Sequence, residues 1–133
     1  MTGPIRIVLD TSAIGAYART SLPVGEIVAE VAEENARIGV PLACLAEVHR
    51  RKPPLSDNQL DGVVLLTSHP HVVVADTDPQ DWRALAGLVR DLGRVDAAAA
   101  LLLAVDCGGY VFTAEPDAYG DWKHLPVIPF EEG

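Results

Sequence analysis

The segment IRIVLDTSAIGAYA, Ile5 to Ala18, decides how the rest of the chain is read. Mostly apolar residues run from Ile5 to Leu9 and then stop on a carboxylate, Asp10, followed at once by the hydroxyls of Thr11 and Ser12. An Asp at this point can cap the helix that TSAIGAYA predicts, because its side chain accepts from the free amides of the first turn. It can equally be an acid held at the carboxyl end of a buried strand, where open α/β sheets form their ligand sites. Thr11 and Ser12 each offer a donor that would keep such a carboxylate ionised and oriented. Within this segment both roles stand.

The 133 residues suffice for one domain with a sizeable core, and 49% of them are hydrophobic, so a single domain over 1–133 is expected. No apolar run approaches a membrane span, and MTGPIRIVLD lacks the basic start, apolar core and cleavage site of a secretory leader. The expected address is the cytoplasm, with no membrane partner. Cys44 and Cys107 sit among small and apolar neighbours at no metal or redox spacing, which suits buried free thiols, though a disulfide stays open. The net charge of −9, from 19 acids against 10 Lys and Arg, opposes nonspecific nucleic-acid binding. A nucleic-acid role would therefore need a local basic patch or a metal.

Short apolar runs at Ile5–Leu9, Arg37–Val40, Val72–Ala75, Tyr110–Thr113 and Val127–Pro129 alternate with helical patterns at about 11–18, 24–36, 42–50, 57–67, 79–92 and 95–107. Ser56–Gln59 has the form of a capping box, Asp78-Pro79 that of a helix start, and Gly108-Gly109 that of a helix end. This alternation predicts an α/β fold: a mostly parallel central sheet of four to five short strands flanked by helices. The site is then expected beyond the carboxyl ends of the strands.

Further acids recur at comparable places. Glu47, in PLACLAEVHRR, stacks over Ala43 and Cys44 on the predicted helix, which leaves room for it to reach a pocket or simply to face solvent. Asp96 opens a helix that is apolar nearly all round, either as its cap or as a site residue at the positive end of the helix dipole. The strand ending at Thr113 is followed by Glu115, Asp117 and Asp121 in a proline-punctuated loop. Asp76 and Asp78 form a D-x-D, but the proline after Asp78 makes capping the better account. Asp106, at the unfavourable end of its helix, is expected in solvent, and the four histidines show no ligand spacing.

Taken in order, VLDTSAI, PLACLAEV, GRVDAAAALLLAVDCGGYVFTAEPDAY and the terminal LPVIPF resemble a PIN domain, and among PIN domains the VapC ribonuclease toxins of toxin–antitoxin pairs. The resemblance covers essentially the whole chain. It implies a metal-dependent endoribonuclease using Mg²⁺ or Mn²⁺, with Asp10, Glu47 and Asp96 as the first three acids. The fourth position falls on Glu115, where the family usually has Asp, with Asp117 near enough to substitute. Ser12 and Thr113 correspond to the small hydroxyl residues that support the acids. The resemblance also implies an RNA substrate, a cognate antitoxin and a homodimer.

The chemistry agrees with the residue types. Clustered carboxylates need a cation to neutralise them, and hard divalent cations prefer oxygen ligands. No Ser–His, Cys–His or lysine nucleophile competes, and Ser12 stands where a haloacid-dehalogenase-like phosphatase needs a second Asp. The phosphate-binding candidates are Arg50, Arg51 and Lys52 after Glu47, with Arg19 and Arg94 flanking the first and third acids. The alternative function is a catalytically weakened PIN-fold module that binds RNA or a protein partner, which the Glu at 115 and the acidic net charge favour.

Overall fold

The computed structural model describes residues 3–132; Met1, Thr2 and Gly133, the ends of the expected 1–133 domain, lie outside the described residues. Five strands are present: β1 (Ile5–Leu9), β2 (Arg37–Pro41), β3 (Val72–Ala75), β4 (Tyr110–Thr113) and β5 (Val127–Pro129). They form one sheet in the order β3-β2-β1-β4-β5, and every pairing is parallel. Six helices connect them: α1 (Thr11–Ala18), α2 (Leu22–Glu33), α3 (Leu42–Arg50), α4 (Asp57–Thr67), α5 (Trp82–Leu92) and α6 (Val95–Cys107).

The strand order places a topological switch at the centre. From β1 the chain steps to β2 and β3 on one side, then returns to β4 and β5 on the other. Right-handed crossovers put α1 to α4 on one face and α5 with α6 on the opposite face. The crevice opens where the direction reverses, between the carboxyl ends of β1 and β4. Those ends carry Asp10 and Thr113.

The core is built as the apolar runs require. Val8, Leu9, Ile38, Val40 and Val111 have no exposed surface, and burying such a side chain is worth about 1.5–3 kcal/mol. Helix α6, apolar nearly all round, is buried from Asp96 to Leu102 and packs on β1, β2 and β4. Helix α3 touches both α1 and α6 at the strands' carboxyl edge. Its buried residues are Cys44 and Val48, whereas Leu42 and Ala46 are exposed.

Differences from the expected boundaries have local causes. Helix α2 begins at Leu22, two residues early, because Pro23 fits a first helical turn, and ends at Glu33 before Asn35 turns left-handed at φ 58°. The segment expected as one helix from 79 starts as a 3-10 turn, Pro79–Asp81, with Asp78 capping Gln80 at 3.0 Å. The capping box closes on both arms, Gln59 N–H to Ser56 Oγ at 3.2 Å and Ser56 N–H to Gln59 Oε1 at 2.9 Å. Both cysteines are free thiols; Cys44 is buried, but Cys107 is only half-buried because it ends α6 at the sheet's amino edge. No described helix is long and apolar enough to cross a membrane.

Gly108 ends α6 at φ 72°, and Gly109 then enters β4 so tightly that a Cβ would lie 2.6 Å from the Arg6 carbonyl oxygen. That neighbour is backbone and cannot swing away. Gly109→Ala is therefore expected to destabilise the fold by about 1–3 kcal/mol, the usual cost of overpacking, measured as a lower denaturant midpoint at unchanged m-value.

Candidate active site

Asp10 performs the capping role: its Oδ1 accepts from the Ala13 amide at 3.0 Å and from Ser12 Oγ at 2.7 Å. Its other oxygen, Oδ2, accepts from the Tyr119 hydroxyl at 2.7 Å. The carboxylate is 3% exposed. Capping and site placement are thus compatible, since Asp10 ends the central strand at the switch point.

A hydroxyl relay ties β4 to this acid. The Ser12 hydroxyl is committed to Asp10, so the Thr113 hydroxyl donates to Ser12 Oγ across 3.2 Å. Ser12 Oγ also accepts from the Ala114 amide, and Thr113 Oγ1 from the Glu115 amide, each at 2.9 Å. The relay fixes where the chain leaves β4 and therefore where Glu115 starts.

Thr11 corrects an expectation. Its hydroxyl does not serve Asp10 but donates to Asp96 Oδ2 at 2.6 Å, because consecutive residues of a helix start point to different sides. Asp96 is also not the cap of α6. Arg94 holds that position without a side-chain cap, and Asp96 sits in the first turn with its carboxylate aimed at Thr11 and Arg94. Cys44 Sγ lies 3.3 Å from the Asp96 carbonyl oxygen, a contact that fastens α3 to α6. Burial pushes that thiol up to about 12, so it is no nucleophile at neutral pH.

Arginines meet the remaining acids. Arg94 holds Asp96 with two nitrogens, Nε to Oδ1 at 3.1 Å and Nη2 to Oδ2 at 2.8 Å. Arg51 holds Glu115 with two bonds of 3.0 Å. The same Arg51 guanidinium lies 3.8 Å from Asp96 and 3.9 Å from Glu47. Arg50 pairs with Glu47 through Nε at 2.8 Å and Nη2 at 2.5 Å. The residues expected as a free basic patch are thus drawn onto the acids, except Lys52, which has no carboxylate partner among the described residues. The Asp117 side chain is exposed and forms no hydrogen bond or ion pair among the described residues, whereas Glu115 faces the other acids through Arg51 and Arg94.

The two central acids titrate in opposite directions. Burial is the largest influence on Asp10 and lifts its carboxyl above the usual range, against the lowering effect of the Thr113, Ser12 and Tyr119 hydroxyls around it. Burial also opposes the Asp96 charge, but the Arg94 and Thr11 hydrogen bonds and the Arg94 charge outweigh it and hold Asp96 low. The Arg50 hydrogen bond lowers Glu47. An acid raised in the fold is a burden when ionised, and that burden is lifted as pH falls through its folded value. Asp10→Asn is therefore expected to keep or raise the melting temperature at neutral pH in EDTA, since Asn can still accept from Ser12 and Ala13 and donate to Tyr119. A clear drop would show that the ionised form is favoured by its site.

A divalent cation fits this centre in donor chemistry. The observation is Arg51, one guanidinium within 4 Å of the Glu47, Asp96 and Glu115 carboxylates, which marks a centre of negative charge with only oxygen donors. No group of three His, Cys, Asp or Glu side chains placed to hold a metal ion forms among the described residues. A metal would have to take oxygens from Arg51 and Arg94, and from Tyr119 at Asp10.

Sequence reasoning did not single out Tyr119. It is 1% exposed, from the 3-10 turn Pro116–Tyr119, and its polar tip at the end of the acidic loop was the available signal. Burial is the main influence that raises its hydroxyl far above the ordinary value, so it acts as a donor.

No family model and no curated protein matches the sequence. Solved structures do. The structure of VapBC2 from Rickettsia felis, bound to a DNA fragment from the promoter, matches at 13% identity and a TM-score of 0.68, over 96% of this chain and 100% of that one. VapC20 from Mycobacterium tuberculosis, described as a sarcin-ricin loop cleaving toxin, matches at 18% identity and a TM-score of 0.60, over 94% of this chain and 98% of that one. The chain has a VapC-like PIN fold.

Proposed function

We propose that this VapC-like PIN fold serves as a metal-dependent endoribonuclease, the toxin of a toxin–antitoxin pair that hydrolyses RNA phosphodiester bonds. The observation that carries the reading is the convergence of Glu47, Asp96 and Glu115 on one guanidinium, beside Asp10 at the sheet's switch point. Mg²⁺ or Mn²⁺, when bound, supplies a water acidic enough to attack phosphorus and charge to stabilise the attacked phosphate. Asp10 and Asp96 would hold the ion, with Glu115 beside them and Glu47 acting through water. The exposure of Asp117 favours Glu115 for the fourth position.

The other residues have their own tasks. Ser12 and Thr113 keep the Asp10 carboxylate oriented, and Thr11 does the same for Asp96. Arg51 and Arg94 neutralise the acids in the resting chain, and their forked donors suit phosphate oxygens once those acids are engaged elsewhere. Arg50 stays with Glu47 at the rim.

The second reading is a PIN-fold module with weakened cleavage that binds RNA or a protein partner. The saturation of Asp10 by Ser12, Ala13 and Tyr119, and of Asp96 by Thr11 and Arg94, favours it. Calorimetry separates the two: the nuclease requires Mn²⁺ or Mg²⁺ binding that is lost in Asp10→Asn and Asp96→Asn. Wild-type protein that takes up neither ion leaves the binding module.

An antitoxin and a second copy of the chain are the proposed partners. A cleft of about 340 Å³ between the end of α1, the start of α2 and α4 carries the exposed Leu22 and Leu65, which suits an apolar antitoxin segment. The exposed Leu42, Trp82 and Val95 lie elsewhere and are available to a homodimer. Co-purification with a small basic protein and light-scattering mass test these in turn. The cytoplasm remains the proposed address.

A further inference from the structure

Beside the acids, on the side of α1 and the turn after α3, lies a second cavity of about 230 Å³. Its wall includes Thr11, Ser12, Arg19, Arg51, Lys52 and Gln59, and no acidic residue. Of its three cations, Arg51 is held by Glu115, whereas Lys52 has no carboxylate partner among the described residues. Arg51 also lines the open cleft of Glu47, Arg94 and Asp96, so the two cavities meet at that side chain. Gly15 makes room for Arg19: a Cβ there would lie 3.1 Å from the guanidinium.

Arg19 is itself met by a carboxylate, from a residue late in the chain that is not part of the cavity wall. Arg19 Nε donates to Glu132 Oε1 at 2.6 Å. The base of the tail is anchored by Phe130, whose ring stacks on Phe112 at 4.5 Å and whose amide bonds the Thr113 carbonyl at 2.9 Å. Glu132 thus holds Arg19 as a phosphate oxygen would.

We propose that this cavity is a subsite for an RNA backbone phosphate next to the one at the acids, held by Arg19 and Lys52, and that Glu132 is its intramolecular competitor. The proposal rests on the RNA-cleaving reading above for its ligand. Cationic side chains around a small cavity recognise phosphate without reading base sequence. A carboxylate on one of those cations must be displaced before the strand is seated, so the acidic tail weakens binding by competition.

The test is fluorescence anisotropy of a short labelled 2′-O-methyl RNA, which resists hydrolysis, in EDTA and across a salt series. Arg19→Ala and Lys52→Ala are each expected to weaken binding by about 3–10-fold and to reduce the salt slope by about 0.7, the value for one single-strand phosphate contact. Glu132→Gln is expected to tighten binding about threefold, since it frees Arg19. Arg19→Lys keeps the charge and should retain most of the affinity; if Arg19→Ala does not fold, Lys52→Ala and Glu132→Gln decide. Affinity within about twofold of wild type in Lys52→Ala, or no tightening in Glu132→Gln, overturns the proposal. Because metal is absent from this assay, the two readings fail separately. Arg19- and Lys52-dependent binding by a protein that cleaves nothing in Mn²⁺ would end the nuclease reading and keep the subsite. Cleavage with unchanged oligonucleotide binding would do the reverse.

Discussion

Asp96→Asn is expected to lower Mn²⁺-dependent RNA cleavage by more than about 100-fold, because changing residues one shell further out from a metal already costs about 10–100-fold. The side chain joins Thr11 of α1 to Arg94, and it faces Arg51 at 3.8 Å. Asn keeps the size and one acceptor but removes the charge. Gel analysis of total RNA with Mn²⁺ reads the result, and equal cleavage by both proteins would trace the activity to a contaminant. The same exchange has a stability signature. Asp96 is held below the usual carboxylate range, so its contribution is present above the unfolded value of about 3.9 and is lost as pH falls through the folded value. The variant should therefore be less stable than wild type at neutral pH, by about 1.5–3 kcal/mol for its charge-assisted bonds, and the gap should close in acid. Denaturant titrations in EDTA at both pH values measure it; a gap that persists in acid would mean that packing, not charge, is lost.

Tyr119→Phe is the second large effect. It removes the one donor on Asp10 Oδ2 in a site where Asp10 is 3% exposed. Leaving a buried carboxylate oxygen unsatisfied costs about 1.5–3 kcal/mol, or roughly 5–15 °C in melting temperature for a chain of this size. A cation that binds Asp10 would take the place of the lost donor and favour the folded state. The deficit is therefore expected to shrink in Mn²⁺ relative to EDTA. An unchanged melting temperature would show that the Tyr119 bond carries no weight. A deficit that Mn²⁺ leaves untouched, in a protein whose wild type binds Mn²⁺, would remove Oδ2 of Asp10 from the ligand set.

Both predictions turn on contacts between residues far apart in sequence, and this marks what could be read in advance. The strands, the capping box and the Gly108 helix end were legible because their causes are local: apolar periodicity, a hydroxyl facing a first turn, a backbone that only glycine adopts freely. The parallel sheet followed from the alternation of strand and helix. The acids at the ends of β1 and β4 were legible for the same reason, since a strand's end fixes where the next residue stands.

By itself, then, the sequence determined the α/β architecture and the presence of acids at its switch point, because those depend on patterns within a few turns of chain. Only the tertiary structure decided what each acid touches. Thr11 serves Asp96 and not Asp10, Tyr119 closes over Asp10 from 109 residues away, and Arg51 leaves the expected basic patch for Glu115. These choices follow from strand order: pairing β1 with β4 brings residue 119 onto residue 10, and carboxylates gathered in one crevice draw in whichever cations the chain can supply. The opening segment ends on a helix cap that is also a site residue, because the strand it terminates lies at the centre of the sheet.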